Sequence, residues 1–283
     1  MLHQIQFTLT VNAGKWIIAK AISELGCIKE SLSNGKLILF GGTTVSALAE
    51  ILFGKALRLS GRVSTRGTVT AFQKKREVPH TMLFTQGKIY DLERDVEVQK
   101  LLQSIEKSDV VVSGANGYDV NGNAFLMAGT YGLGDRINLL APIHTEGAKV
   151  LIAVGLEKLI PGSTLEAIKC SGRNSSIWSM GASVGLVPLV GEIINEIEAI
   201  KILFGIKPVV IGRGGIQGAE GSSTFVAQGE RETLQRLISL IEWASQQKLS
   251  GISESIKECE RGVKACARHK GCCYKSGKLF NGF

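Results

Sequence analysis

The sequence predicts an α/β protein whose core is a doubly wound, mostly parallel sheet of the Rossmann-like kind. Three apolar runs support this prediction, at residues 36–40, 109–113 and 149–154. Apolar runs of this length, bounded by glycines and polar turns, suit parallel strands that are buried on both faces. Segments with the apolar spacing of helices alternate with the runs, which is typical of a sheet covered by helices on both sides.

Composition limits the classes of protein to which the chain can belong. Its 283 residues are 44% apolar and 20% charged, enough for a well-packed core. The first residues lack a basic segment followed by an apolar one, and no apolar run is long enough to cross a bilayer. Six cysteines without an export signal favour reduced thiols or metal ligands over disulfides. We therefore expect a cytoplasmic protein that does not enter a membrane.

The net charge of +8 is unevenly distributed along the chain. Residues 251–283 hold seven Lys or Arg against three Glu, so we divide the chain into a core at 1–250 and a Cys-rich basic tail at 251–283. Aromatic residues make up only 6% and do not alternate with basic ones. A nucleic-acid partner is therefore not expected.

Further elements follow from local patterns. Asn12 and Gly26 mark the predicted start and end of a first helix. We predict additional helices at 45–53, 96–105, 192–203 and 231–248, and additional strands at 58–71, 81–85 and 207–211.

The turn after the first apolar run is the first predicted binding element. Gly41, Gly42, Thr43 and Thr44 lead from this strand into a helix, and a threonine hydroxyl there can cap the helix. A helix start offers free N–H groups and a positive dipole end, which suit an anion. Arg66, in a segment rich in Ser and Thr, is a further candidate ligand for an anion. A plain strand–turn–helix joint is the alternative.

Glycine-rich polar loops follow the later strands and supply the other candidate site residues. Such loops at the ends of strands are where open α/β sheets bind ligands, although a plain turn or bulge is the alternative for each. The binding candidates are Gly114, Asn116, Asn123, Gly132, Gly214 and Gly215. The catalytic candidates are Asp119, Asp135, Lys158 and Glu220.

The tail admits two interpretations. Cys259, Cys266, His269 and Cys272 could hold Zn²⁺ or an iron–sulfur cluster, although their spacing matches no standard zinc motif. Alternatively, Cys259, Cys266 and Cys273 share one helical face with Ile252 and pack against the core as small apolar groups. We favour docking without metal, and no cofactor is required for the expected chemistry.

The order of these motifs resembles the ribose-5-phosphate isomerase and coenzyme A transferase-like superfamily, over about residues 12–160. The resemblance implies a ligand at the carboxyl ends of the strands and, commonly, a homo-oligomer. In isomerase members the Gly-Thr turn holds phosphate, which matches residues 41–44, and the loop after the next strand carries a catalytic aspartate. Here Asn116 occupies that loop and Asp119 is the nearest carboxylate, while the lysine expected ahead of the glycine-rich loop is absent. These departures argue against true ribose-phosphate isomerase activity.

Two functions are consistent with these motifs. The first is an enzyme that acts on a phosphorylated or coenzyme A-linked metabolite, with Asp119 as an acid–base group whose pKa burial raises towards neutrality. Lys158 would hold developing negative charge, while Asp135 and Glu220 are reserve carboxylates. The resemblance implies a catalytic glutamate in coenzyme A transferases, but their Ser-Glu-Asn-Gly signature is absent here, and a solvated turn residue is the favoured alternative for Glu220. The second function is a ligand sensor that binds the same small anion without turning it over.

Overall fold

The computed structural model describes residues 2–70, 78–92, 103–255, 259, 269 and 271–276. In this part of the chain the strands are β1 His3–Leu9, β2 Lys36–Phe40, β3 Gly61–Ser64, β4 Gly67–Thr70, β5 Thr81–Thr85, β6 Lys88–Asp91, β7 Val110–Ser113, β8 Gly117–Tyr118, β9 Ala124–Ala128, β10 Lys149–Ala153, β11 Gly185–Leu189, β12 Glu192–Ile194, β13 Val209–Gly214 and β14 Ser222–Gly229.

The helices within the same described residues are α1 Val11–Glu24, α2 Gly26–Asn34, α3 Thr43–Phe53, α4 Ile137–Thr145, α5 Thr164–Cys170, α6 Glu196–Phe204, α7 Arg231–Gln246 and α8 Cys273–Ser276. The described residues also include two 3₁₀ turns, Tyr131–Arg136 and Leu156–Lys158. None of the described helices is both long and apolar enough to span a bilayer.

The central sheet has six strands in the order β12-β10-β7-β2-β5-β6. The first four strands are mutually parallel, whereas β5 pairs antiparallel with β2, and the edge strand β6 pairs antiparallel with β5. The prediction of an α/β protein is confirmed, and all three apolar runs form parallel strands of this sheet. The sheet is nevertheless mixed, and the doubly wound Rossmann-like arrangement stays a prediction.

The position of strand β2 in the sheet explains why its sequence is apolar without interruption. Leu37 and Leu39 face a core cluster that includes α1, α3 and α6, while Ile38 and Phe40 face a second cluster with α4 and β9. All four side chains are at most 2% exposed. Because successive side chains of a strand point to opposite faces, burial of both faces demands an apolar residue at each position.

The strand predicted at 207–211 is present as β13, but it does not belong to the parallel central sheet. The strand found there, β13, pairs antiparallel with β14 in a separate sheet with the order β1-β14-β13. The fourth parallel strand is β12, which lies in the segment predicted as a helix over 192–203. The helix α6 begins only at Glu196, because Asn195 caps it by accepting hydrogen bonds from Ile197 N and Glu198 N.

Two features at the amino end were also not predicted correctly. Strand β1 was not predicted from the sequence. It pairs with β14 along its whole length. Thr10, and not Asn12, caps α1, since its hydroxyl accepts from Ala13 N at 3.2 Å. Asn12 instead donates to the carbonyl of Gln247 at 2.7 Å, which ties the first helix to the end of α7.

The described residues of the tail contact the core. Ser179 N donates to the carbonyl of Gly271, and Cys273 N donates to the carbonyl of Ser179. Cys273 is fully buried, and the Arg66 guanidinium lies 4.3 Å from the ring centre of Tyr274. The predicted helix at 96–105 and the proposed helical face of the tail lie mostly outside the described residues.

Asp109 ties the beginnings of three parallel strands together. Its carboxylate accepts from Lys36 N at 2.8 Å, from Lys36 Nζ at 3.1 Å and from Glu106 N at 2.9 Å. Its carbonyl accepts from Lys149 N at 3.0 Å. The side chain is 1% exposed, so water cannot replace these partners.

We therefore expect Asp109→Ala to lower the free energy of unfolding by about 3 kcal/mol, because it leaves buried donors and a cation without their acceptor. Urea titration followed by circular dichroism measures the loss. The exposed Glu30→Ala is the control and should change stability by less than about 0.5 kcal/mol. Equal stability of the two variants would contradict the structural role of Asp109.

Candidate functional site

A cavity of 410 Å³ lies where β2, β7 and β10 end. Because these strands are parallel, their carboxyl ends meet at one edge of the sheet, the usual ligand position in open α/β sheets. The polar residues of its lining come from the ends of these strands and the turns after them, from α1, from the start of α3, from the β3–β4 region and from the residue before β5. They include Lys15, Thr43, Thr44, Ser60, Arg62, Thr68, His80, Ser113, Asn116, Glu157 and Lys158.

The turn after β2 forms one wall of the cavity. Gly41 N donates to the carbonyl of His80 at 2.7 Å, and a Cβ on Gly41 would overlap that carbonyl and the His80 ring. Gly42 precedes α3 without a side-chain cap, so the prediction of a threonine hydroxyl cap is wrong. Thr43 and Thr44 are the first residues of the helix, and their N–H groups have no partner within it. This wall therefore presents the positive end of α3 to the cavity.

The loop after β7 contributes a second wall through Gly114 and Asn116. The Asn116 side-chain oxygen accepts from Met127 N at 2.8 Å, and Asn116 N donates to the carbonyl of Phe125 at 2.9 Å. These two bonds hold the loop against β9. Asn116 is thus both a lining residue and a fixed point of the local backbone.

Asp119 has a structural environment and is not among the residues that line the cavity. Its carboxylate accepts from Asn121 N, Asn123 N, Asn123 Nδ2 and Thr164 N at 3.0–3.2 Å. Burial raises the pKa of Asp119, but the hydrogen bonds from Thr164 and Asn123 outweigh it and lower the pKa to about 2. The expectation of a pKa near neutrality is therefore wrong, because local donors stabilise the ionised form.

The third wall comes from the 3₁₀ turn after β10. Glu157 and Lys158 both line the cavity, with Lys15 of α1 beside them. The Glu157 Oε2 atom is enclosed and, among the described residues, has no hydrogen-bond partner. Burial lowers the pKa of Lys15, while the negative charges of Glu157 and Glu196 act in the opposite direction. Two lysines and one carboxylate thus meet in one wall.

Both backbone polar groups of Leu156, its N–H and its carbonyl, are hydrogen-bonded to charged side chains. Its N–H donates to Glu196 Oε2 at 2.8 Å, and its carbonyl accepts from Arg213 Nη2. Because Leu156 directly precedes Glu157, this clamp fixes the start of the turn that carries the cavity carboxylate. Glu196 and Arg213 are therefore positioning residues for the third wall.

Glu196 is a carboxyl group in a nearly water-free environment, only 4% exposed. Burial raises its pKa to about 7, and the negative charge of Glu157 adds to the rise, while the Leu156 N–H and Arg213 oppose it. Tyr118 lies nearby, and burial raises its pKa to about 12. Its hydroxyl accepts from Asn195 Nδ2 at 3.3 Å, so Asn195 links this ring to the start of α6.

Several predicted site residues lie outside the cavity lining. Arg66 donates to the carbonyl of Cys259 at 3.2 Å and faces the tail. Glu220 is exposed, and hydrogen bonds from the loop backbone lower its pKa. The others found elsewhere are Asn123 in the β8–β9 turn, Gly132 in the first 3₁₀ turn, and Gly214 and Gly215 at the β13–β14 hairpin. Asp135 lies in that 3₁₀ turn, and its side chain is outside the described part.

Sequence reasoning missed Lys15, Glu157 and Glu196. One signal in the sequence bears on Glu196, since a glycine within a helix costs about 1 kcal/mol relative to alanine and needs a reason. Gly14 of α1 has such a reason, because a Cβ there would lie 3.0 Å from Glu196 Cγ and still closer to Oε1. The glycine makes room for the buried carboxyl.

The tail cysteines do not form a metal site within the described residues, where no three His, Cys, Asp or Glu side chains come together. Cys259, His269 and Cys272 are described, but Cys266 lies outside the described part. The zinc or iron–sulfur alternative therefore stays a prediction.

The environment of Asp119 predicts a loss of stability for Asp119→Ala. The variant leaves the N–H groups of Asn121, Asn123 and Thr164 without their acceptor, so its melting temperature should fall by several degrees. The stabilisation that Asp119 adds is present above its ordinary pKa and should disappear as the pH falls towards 2. Calorimetry between pH 7 and pH 2 measures both effects, and an unchanged melting temperature at pH 7 would contradict the interpretation.

For Glu196 we predict the opposite dependence of protein stability on pH. Its pKa is 4.5 in an ordinary setting and about 7 when folded, so the native state binds more protons between these values. Stability should therefore fall by about 3 kcal/mol as the pH rises through this window. Urea unfolding at several pH values measures the fall. Glu196→Gln should remove it, whereas Glu198→Gln, which alters a surface carboxylate on the same helix, should retain it.

Known proteins offer no direct guide to this site. Comparison of the chain with protein-family models, with curated proteins and with solved structures found no match. The chemistry of the cavity therefore has to be inferred from its own residues.

Proposed function

We propose that this protein binds a phosphorylated or coenzyme A-linked small metabolite in the cavity and acts on it by acid–base chemistry. One observation carries the proposal. The uncapped start of α3, two lysines and an enclosed carboxylate share one 410 Å³ cavity at the carboxyl edge of a parallel sheet. The first two features suit an anionic group, and the third suits proton transfer beside it.

The anion is held at the wall formed by residues 41–44. The N–H groups of Thr43 and Thr44 point along the axis of α3, whose dipole favours negative charge at this end. Lys15 and Lys158 supply formal positive charge from the opposite wall. A phosphate or the pyrophosphate of coenzyme A matches such a combination of backbone donors and ammonium groups.

Glu157 replaces Asp119 as the proposed acid–base residue. It lines the cavity, and its Oε2 atom is not engaged by donors among the described residues. Asp119, in contrast, accepts hydrogen bonds from four donor groups in a turn. Lys158, the neighbour of Glu157, is placed to hold negative charge that develops on the substrate.

The doubly wound isomerase and transferase-like superfamily remains the proposed fold family, with the homo-oligomer that it implies. The Gly-Thr turn and the loop after β7 do lie in one cavity, as that resemblance requires. A ligand sensor on the same fold is the second candidate, favoured by the structural engagement of Asp119. A co-purified ligand identified by mass spectrometry and released chemically unchanged after prolonged incubation would favour the sensor.

The anion site predicts stabilisation by ligands. A thermal-shift series with inorganic phosphate, sugar phosphates and coenzyme A should identify at least one that raises the melting temperature. At a hundred times its dissociation constant, that ligand should add about 2.7 kcal/mol. Lys158→Ala should weaken its binding about tenfold, because one charged hydrogen-bond donor is lost.

Lys169→Ala is the matched control, since Lys169 is exposed at the end of α5 and is not among the lining residues. It should bind the ligand as the unaltered protein does. If no anion raises the melting temperature, or if both lysine variants respond alike, the proposed anion site is wrong.

A further inference from the structure

The half-buried Glu157 carboxyl of the third wall and the buried Glu196 carboxyl are close neighbours. A Cβ built on Gly155 would lie 3.0 Å from Glu196 Oε1 and closer still to Glu157 Oε2. The absence of a side chain at Gly155 therefore lets both carboxyl groups approach the same point. Gly14 leaves the corresponding space on the α1 side of Glu196.

No direct cation neutralises these groups among the described residues. Arg213 donates to the Leu156 carbonyl, and no ion pair joins Arg213 or Lys15 to either carboxyl group. The groups that face Glu196 from the surrounding elements are Glu157, Lys15, Arg213 and Tyr118. Two carboxylates this close, with no ion pair to either of them among the described residues, do not both ionise readily in a poorly solvated site.

We propose that Glu157 and Glu196 form a carboxyl pair that holds a single proton between them at neutral pH, and that Glu157 exchanges protons with a ligand in the cavity. Glu157 has this role because it lines the cavity, whereas Glu196 lies behind Gly155 and clamps the Leu156 N–H. The raised pKa of Glu196 agrees with a retained proton. The exchange rests on the proposed function, but the pair itself does not.

The proton balance of the exchange is simple. A proton leaves the ligand, and the electron pair of the broken bond stays on the ligand. The proton binds a Glu157 carboxylate oxygen, so the pair passes from one proton to two. The return step delivers that proton to another atom of the ligand and restores the singly protonated pair. Glu196 is a positioning residue in this scheme, since it acts through the protonation of Glu157 and through the Leu156 clamp.

Carbon-13 NMR of protein labelled at the glutamate carboxyl carbons tests the pair without any ligand. Glu157→Gln and Glu196→Gln assign the two resonances. In the unaltered protein Glu196 should titrate near neutral pH, and Glu157→Gln should lower the midpoint of Glu196 by about one pH unit. A Glu196 midpoint that Glu157→Gln leaves unchanged would overturn the pair.

Calorimetric titration with sulfate tests the exchange with the cavity, because sulfate remains a dianion throughout the pH range. In two buffers of different ionisation enthalpy, the protein should take up a substantial fraction of one proton per sulfate near pH 7. Glu196→Gln and Glu157→Gln should abolish the uptake, and Glu198→Gln should retain it. Sulfate binding without proton uptake would overturn the coupling between the pair and the cavity.

A third outcome separates this inference from the anion site. If sulfate does not bind at any pH, the proposed anion site fails, and the exchange of protons with a cavity ligand fails with it. The NMR titration would still decide whether Glu157 and Glu196 share a proton. Failure of the anion site and failure of the pair are therefore distinguishable.

Discussion

The burial of both faces of the parallel strands is the constraint on which the rest of the structure depends. Strands β2, β7 and β10 have almost no surface at which a polar side chain could meet water along their length. Polar groups are therefore confined to the strand ends, because an unpaired polar group within the sheet would cost several kcal/mol. Asp109 occupies one edge, where it ties strands together, and the cavity occupies the other.

The same constraint explains why neighbouring carboxylates behave in opposite ways. Asp119 sits in a turn whose backbone N–H groups converge on it, so its charged form is favoured even though it is 2% exposed. Glu196 accepts from the Leu156 N–H and from its own backbone N–H, but burial and the negative charge of Glu157 outweigh these two donors, so its neutral form is favoured. Burial alone does not decide the charge of an acid, because the number of donors directed at it matters more.

In the proposed chemistry, backbone groups on one side of the cavity bind the anion, and side chains on the other side move the proton. On the α3 side, fixed N–H groups and a helix dipole need no reorganisation to meet an anion. On the β10 side, Glu157 depends on the clamped Leu156 peptide, and thus on Glu196 and Arg213 behind it. A rigid binding wall opposite a protonatable wall is an arrangement suited to moving a proton on a bound ligand.

The sequence by itself determined the parallel strands β2, β7 and β10, because an uninterrupted apolar run is a local pattern. It also determined that Gly41, Thr43, Asn116 and Lys158 follow the ends of these strands, because the turns there are local patterns too. Only the tertiary structure decided which segments became β12 and β13, because strand pairing joins residues far apart in the chain. It also decided that Asp119 is held in a turn and that Glu157 meets Glu196 over Gly155, some forty residues apart in sequence. The charge state of a buried group depends on such distant neighbours, and no short window of sequence contains them.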